Sequence, residues 1–273
     1  MSRLDLRSRE YKMMLRPERF AGDEDAVKRS CAEFWGDVGA ALAKLEIPTE
    51  GQFDRVKARR RIRFLDTSEL SFRAHKYVLR ERVDVDSGER EVTLKYRHAD
   101  RYLAADRDME PTGGKRSETK FEEDVKPPFA SVFSYSTTVE IEPEVAMTHM
   151  GHIRELFPGF GDEVPQVDDG RLLIVRNFCA NELVLVGASV LLGKRDIGAE
   201  CAMVVWHDSE EASKAPVCVE FSFKYGDDDE DYAGTVTRDA HDLLQVLPTD
   251  LPAWVHPNPV TKTSFVYGGA AGA

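Results

Sequence analysis

Long apolar runs are missing from this chain. The longest nearly uninterrupted one, Leu183 to Leu192, is about half of the ~20 residues that a membrane-spanning helix needs, so no span is expected. The segment MSRLDLRSRE at the start is charged and carries no apolar stretch, so it does not read as a secretory signal. Cysteine is scarce. Its four copies, Cys31, Cys179, Cys201 and Cys218, include no pair at Cys-x-x-Cys spacing. A zinc ribbon or redox pair is therefore not expected, whereas reduced and mostly buried thiols in the cytoplasm are. No Gly-x-Ser-x-Gly elbow occurs, which leaves a hydrolase triad unsupported. Positive charge is also in deficit. Lys and Arg number 37 against 49 Asp and Glu, a net charge of −12. Such a chain does not hold duplex nucleic acid by general attraction to phosphate, although it can still contain a small basic site.

What is present is ordinary for a globular protein: 42% hydrophobic and 32% charged residues, at a length that suits one large domain or two small ones. Period-two alternation dominates. Residues 9–16 read as a strand with Tyr11, Met13 and Leu15 on one face and Glu10, Lys12 and Met14 on the other. Val27, Cys31, Phe34, Val38, Leu42 and Leu45 recur at helical spacing over 24–47, up to Pro48. Strands are expected near 57–66, 76–83, 91–97 and 117–125, and Lys120, Glu122 and Asp124 share a face of the last. Pro127-Pro128 breaks the chain, and a helix is expected over 143–156. The runs LLIVRNF, ELVLV, SVLL and CAMVVW read as short strands within 171–208. PVCVEFSFKY alternates strictly, Asp227–Asp231 is a solvated loop, and a helix follows near 236–247. About nine strands and three helices result, without regular alternation between them. The expected fold is α+β and mainly antiparallel, a closed or nearly closed barrel with helices packed outside. Residues 1–265 form one domain in this reading, and 266–273 a flexible tail.

Residues 53–82 hold ten basic residues against four acidic ones within this acidic chain. Lys12, Arg61, Arg63, Arg80, Arg82 and Lys95 fall at alternating strand positions and read as one face. Solvated sheet faces usually mix both signs, because like charges opposite one another repel. A face of one sign points to a bound polyanion, and phosphate fits Arg forks and Lys point charges best.

The block RRRIRFLDTSELSFRAHKYVLRERV followed by VTLK resembles the CYTH superfamily, the triphosphate tunnel metalloenzymes. The family's motifs fall on Arg61, Phe64-Leu65-Asp66-Thr67, Phe72-Arg73, Leu79-Arg80-Glu81-Arg82 and Thr93-Leu94-Lys95. Weaker matches are Lys120 to Asp124, Val175-Arg176-Asn177, Trp206-His207-Asp208 and Val260-Thr261-Lys262. The resemblance implies a tunnel that hydrolyses a triphosphate-containing substrate with Mg²⁺ or Mn²⁺. A non-catalytic binder of polyphosphate or nucleotide is the alternative. It implies Lys12, Lys95 and Glu122 as catalytic residues, and Arg61, Arg63, Arg73, Arg80, Arg82, Arg176 and Lys262 as substrate-binding ones. For Arg63 and Arg73 an inward and a solvated placement are equally compatible with the pattern. Glu10, Glu220 and Asp208 are the implied metal ligands. Two departures stand out: Ser8 and Ser222 occupy positions where the family carries glutamate. Asp66 reads as structural, capping its turn through the backbone. Two other patterns are weak. GASVLLGK, Gly187 to Lys194, has its glycines too far apart for a phosphate loop, and His149 and His152 have no third ligand nearby.

Overall fold

The computed structural model describes residues 5–165, 170–194, 196–208, 215–226, 234–257 and 261–268. Among these are nine strands: β1 Ser8–Leu15, β2 Thr49–Asp66, β3 Tyr77–Asp84, β4 Arg90–His98, β5 Arg116–Lys126, β6 Ala130–Ile141, β7 Leu173–Leu192, β8 Ile197–His207 and β9 Cys218–Tyr225. The α-helices are α1 Glu24–Ala43, α2 Ser71–Ala74, α3 Arg101–Ala105, α4 Met150–Leu156, α5 Pro158–Glu163, α6 Gly234–Asp250 and α7 Lys262–Val266. The hydrogen-bonded strand order, β1-β5-β6-β4-β3-β2-β7-β8-β9, returns to its start as a closed barrel. The mainly antiparallel α+β class read from the sequence is therefore the observed one.

Two compact units make up the chain. The first holds 60–123 and 132–180, and the second holds 6–59, 124–131 and 181–273. In the second unit, Tyr11, Met13 and Leu15 of β1 lie beside Phe223, Phe221 and Val219 of β9, and this apolar face packs on α1 and α6. Tyr11 stacks on Phe223 with ring centroids 4.6 Å apart, and Phe34 of α1 meets Phe221 edge-on at 5.3 Å. Truncating such a buried aromatic to Ala costs about 3–5 kcal/mol. Asp23 caps α1, accepting from the Ala26 amide at 2.9 Å. The helix stops at Ala43, four residues short of the end expected at 47. Glu46 turns left-handed (φ 58°), and the Ile47 amide folds back onto the Leu42 carbonyl at 3.2 Å.

In the first unit, Leu65, Leu79, Leu94, Tyr77, Tyr96, Val139 and Ile141 form an apolar face against Met150, Ile153, Phe157 and Phe160. Asp66 fills the structural role expected of it. It is 1% exposed and accepts the amides of Thr67 at 2.8 Å, Phe72 at 2.9 Å and Arg73 at 3.1 Å, which holds the entry to α2.

Several elements differ from the sequence reading. β6 is a full strand where none was expected. The helix expected over 143–156 is confined to α4, with α5 following. LLIVRNF, ELVLV and SVLL are one strand, β7, which stays continuous through left-handed residues at Arg176 and Asn177 and a register shift between Val186 and Ser189. Gly187 lies at that shift with φ 118°, so the glycine of GASVLLGK serves a bulge, and a Cβ there would run into the Gln52 carbonyl. α7 was not expected, and Val266 and Tyr267, assigned to the tail, are buried. Asp227–Asp231 lies outside the described residues. No helix among the described residues is long and apolar enough to cross a membrane.

Candidate functional site

Register decides which cations share a face. In the first unit Leu65 pairs with Leu79, and Leu79 with Leu94. Directly opposite residues point to the same side, so these leucines put the apolar core on one face of β2, β3 and β4. Arg80, Arg82 and Lys95 alternate with them and take the other face. Arg80 lies between Phe64 and Thr93, Arg82 between Ile62 and Glu91, and Lys95 between Val78 and Ser136. Thr138 joins them, its hydroxyl 2.9 Å from that of Thr93. Thr93 and Ser136 are buried, and Arg80, Arg82 and Lys95 are half-buried. The face is thus withdrawn from bulk water and combines three cations with hydroxyl donors, the group types that hold phosphate oxygens.

Arg61 and Arg63 do not belong to it. Arg63 stands opposite Glu81 and Arg61 opposite Val83, on the leucine side. Arg61 is exposed. Arg63 and Arg90 both pair with Glu81, whose side chain is 1% exposed. The Glu81 hydrogen bond holds the Arg63 guanidinium above its usual pKa despite partial burial. This makes Arg63 part of a structural triad, and the single basic face read from the sequence is two faces. Arg73 is exposed on α2, and Arg176 is exposed on β7 with φ 52°. Glu122 is half-buried on β5.

The second unit gathers a separate charged cluster. Lys12 Nζ lies 2.7 Å from Asp124 Oδ1 and 2.8 Å from Glu10 Oε2. Burial alone would lower the Lys12 pKa, but the charges of Asp124, Glu10 and Glu220 outweigh it and hold the ammonium above its ordinary value. Lys262 Nζ lies 2.9 Å from Glu220 Oε1 and 5.6 Å from the centroid of the Trp206 ring. The Trp206 indole in turn donates to Glu182 Oε2 at 2.9 Å. Glu182, Glu220 and Ser222 are buried, as is Ser8. Burial pushes the nearby Cys218 thiol up to about 12.

The implied metal ligands do not assemble. Among the described residues no group of three His, Cys, Asp or Glu side chains could hold a metal ion. Glu10 and Glu220 each carry a lysine, and Asp208 is exposed just past the end of β8. The cross-strand neighbours of Glu220 are Met14 and Val204, which offer no oxygen. Mg²⁺ wants near-octahedral oxygen coordination, so this donor set does not fit a protein-held divalent cation.

Asp124, Glu182 and Trp206 escaped the sequence reading as site residues. Asp124 had a usable signal, since it follows Glu122 at strand spacing. Glu182 is a lone acid heading an apolar run, and only the pairing of Glu182 with Trp206 across β7 and β8 reveals its partner. His149 caps α4, its ring nitrogen 3.1 Å from the Gly151 amide.

No family model and no curated relative matches the chain. Solved structures do. The Hippeastrum protein HpAC1, an adenylyl cyclase candidate described as having a dominant triphosphatase activity, is 14% identical over 97% of both chains, with a TM-score of 0.46. An adenylate cyclase candidate from Vibrio parahaemolyticus is 11% identical over 97% of this chain and 100% of its own, with a TM-score of 0.36. The PH1012 protein from Pyrococcus horikoshii is 11% identical over 88% and 89%, with a TM-score of 0.32.

Proposed function

We propose that this chain binds a small triphosphate-containing ligand through the basic positions of its strands, as a relative of the CYTH superfamily. The observation that carries this reading is the face of Arg80, Arg82, Lys95, Thr93 and Ser136 in the first unit. A merely solvated face would expose these groups, yet the hydroxyls are buried and the cations half-buried. Arg80, Arg82 and Lys95 with the neighbouring hydroxyls supply charge and donors suited to phosphate oxygens, and Glu91 opposite Arg82 is an acid on the same face. The resemblance also implies Lys12 and Lys262 as functional residues. They match the family's N-terminal lysine and its C-terminal Ser/Thr-Lys.

Metal-dependent hydrolysis is the activity that the resemblance implies, with Lys12, Lys95 and Glu122 in catalytic roles. Binding without turnover is better supported, because Ser8 and Ser222 replace acids and the remaining carboxylates carry lysines. The test is calorimetric titration with inorganic triphosphate, alongside phosphate release from triphosphate, thiamine triphosphate and ATP with Mg²⁺ or Mn²⁺. Saturable binding with negligible release is the expected result. Metal-dependent turnover would replace this reading with the enzyme, and absence of both binding and turnover would remove the triphosphate reading.

A further inference from the structure

We propose that a cavity beside α4 in the first unit is a binding site for a small organic cation with an apolar body, independent of the triphosphate reading. The cavity has a volume of about 520 Å³, within the range of small-molecule sites. Its walls come from residues 113–115, residues 141–147 and α4, all within the first unit. Ile141, Met147 and Leu156 are wall residues that also belong to the apolar cluster behind the leucine face of β3 and β4. The cavity therefore lies on the side of the sheet opposite to Arg80 and Lys95. Val145, 39% exposed, carries the apolar lining out to the surface.

The walls are fixed in advance. Arg90, already paired with Glu81, donates to the carbonyls of Pro143 at 2.9 Å and Val145 at 2.6 Å, which holds the 141–147 segment. Across the cavity, the Thr112 amide donates to the Leu156 carbonyl at 2.9 Å and the Thr112 hydroxyl to the Glu155 carbonyl. These bonds tie the loop to the last turn of α4. Gly114 has φ 93°, and a Cβ there would stand 2.1 Å from Val139 Cγ1, so only glycine lets the loop lie this close to β6. Gly113 is under no such constraint. A Cβ there would meet only Leu156 Cδ1 within 4 Å, at an ordinary contact of 3.7 Å. Space that a side chain at 113 would take is thus left to the cavity.

The charge around the mouth selects the ligand class. α4 presents His152, Glu155 and Leu156 to the cavity, at the three- and four-residue spacing of one helix face. The His152 ring is held by the Thr148 amide, 3.4 Å from its Nδ1. Lys115 is taken by Glu142 at 3.0 Å, and Arg116 by Glu140 at 3.3 Å. The Glu142 hydrogen bond, together with the charges of Glu142, Glu140 and Glu144, holds the Lys115 ammonium above its ordinary pKa. Glu144 and Glu155 have no ion-pair partner among the described residues. An apolar chamber with a net negative mouth favours an ammonium group on an apolar body over an anion of the same shape.

The experiment titrates the full chain with three probes of like shape, phenethylamine, phenethyl alcohol and hydrocinnamate, and follows the amide NMR signals of Gly113 and Gly114. Phenethylamine should shift both signals saturably. Phenethyl alcohol should bind about threefold more weakly, the scale of one exposed ion pair, and hydrocinnamate more weakly still. Glu155→Gln should bring the amine to the affinity of the alcohol and leave the alcohol unchanged. Gly113→Leu should remove binding of both. No saturable shift with the amine would overturn the site, as would amine binding undiminished in Gly113→Leu. Hydrocinnamate binding as tightly as the amine would overturn the cationic class. A response to a capped Phe-Lys dipeptide but not to the amine would assign the cavity to a partner chain and overturn the small-ligand inference. The probe comparison on wild type and on Glu155→Gln, a change at an exposed position, stands even if Gly113→Leu does not fold.

Discussion

Lys12 on β1 stands directly opposite Ser222 on β9. The CYTH resemblance implies a second acid of the late strand at this position, and the serine found there faces a lysine. Substitution Ser222→Glu should add a carboxylate two residues from Glu220 on the same face of β9. Mn²⁺ affinity should rise from undetectable to measurable by calorimetry. If Mn²⁺ binds wild type and Ser222→Glu alike, the serine is not what keeps the metal out.

Arg80 and Arg63 are both arginines of the motif block, yet the Leu65–Leu79 register sends them to opposite faces. Arg80→Ala should weaken triphosphate binding about tenfold with little loss of stability. Arg63→Ala should leave binding unchanged and destabilise the fold, since it strips a partner from the buried Glu81 carboxylate; breaking a buried pair typically costs about 3–5 kcal/mol, less here because Arg90 remains. Triphosphate titration and urea denaturation separate the two. A reversed pattern would mean that the faces are assigned the wrong way round.

Three of the four thiols are buried: Cys31 and Cys218 are pushed up to about 12 by burial, and Cys201 is also raised, while Cys179 is exposed. Thiolate is the reactive form, so at mildly alkaline pH a chromogenic disulfide should react with one thiol in the native protein and four in denaturant. A second fast thiol in the native state would contradict the packing around α1, β8 or β9.

Glu24 accepts from Arg59 and Lys28, and those hydrogen bonds lower its pKa below the usual carboxylate value. A carboxyl depressed in the folded state adds stability that is present above its unfolded pKa and lost as pH falls through the folded one. Glu24→Gln should therefore destabilise the protein at neutral pH and show a shallower loss on acidification than wild type. Parallel denaturation midpoints of the two proteins across the acid range would exclude a role for this carboxylate.

The strands that carry the candidate residues were legible because their alternation is strict. Tyr11, Met13 and Leu15, or Val219, Phe221 and Phe223, announce both the strand and its buried face. β6 is equally periodic, with Phe133, Tyr135, Thr137, Val139 and Ile141 on one side, but its serines and threonines and the preceding Pro127-Pro128 disguise it as a loop. What a single strand cannot tell is which of its faces meets which face of its neighbour. That depends on register, which hydrophobic pairing sets between strands, and a slip of one residue moves every side chain across the sheet. Arg61 and Arg63 were misplaced for that reason. The lysine–carboxylate pairs are less visible still, because Lys12 and Asp124, or Glu220 and Lys262, are distant in sequence and meet only in the fold.

Calorimetric titration of inorganic triphosphate into wild type, Arg80→Ala and Lys95→Ala addresses the central claim most directly. The account predicts saturable binding to wild type and about tenfold weaker binding to each variant, as expected for the loss of one charge-assisted contact to phosphate. Absence of binding to wild type, or equal affinity of all three proteins, would contradict it.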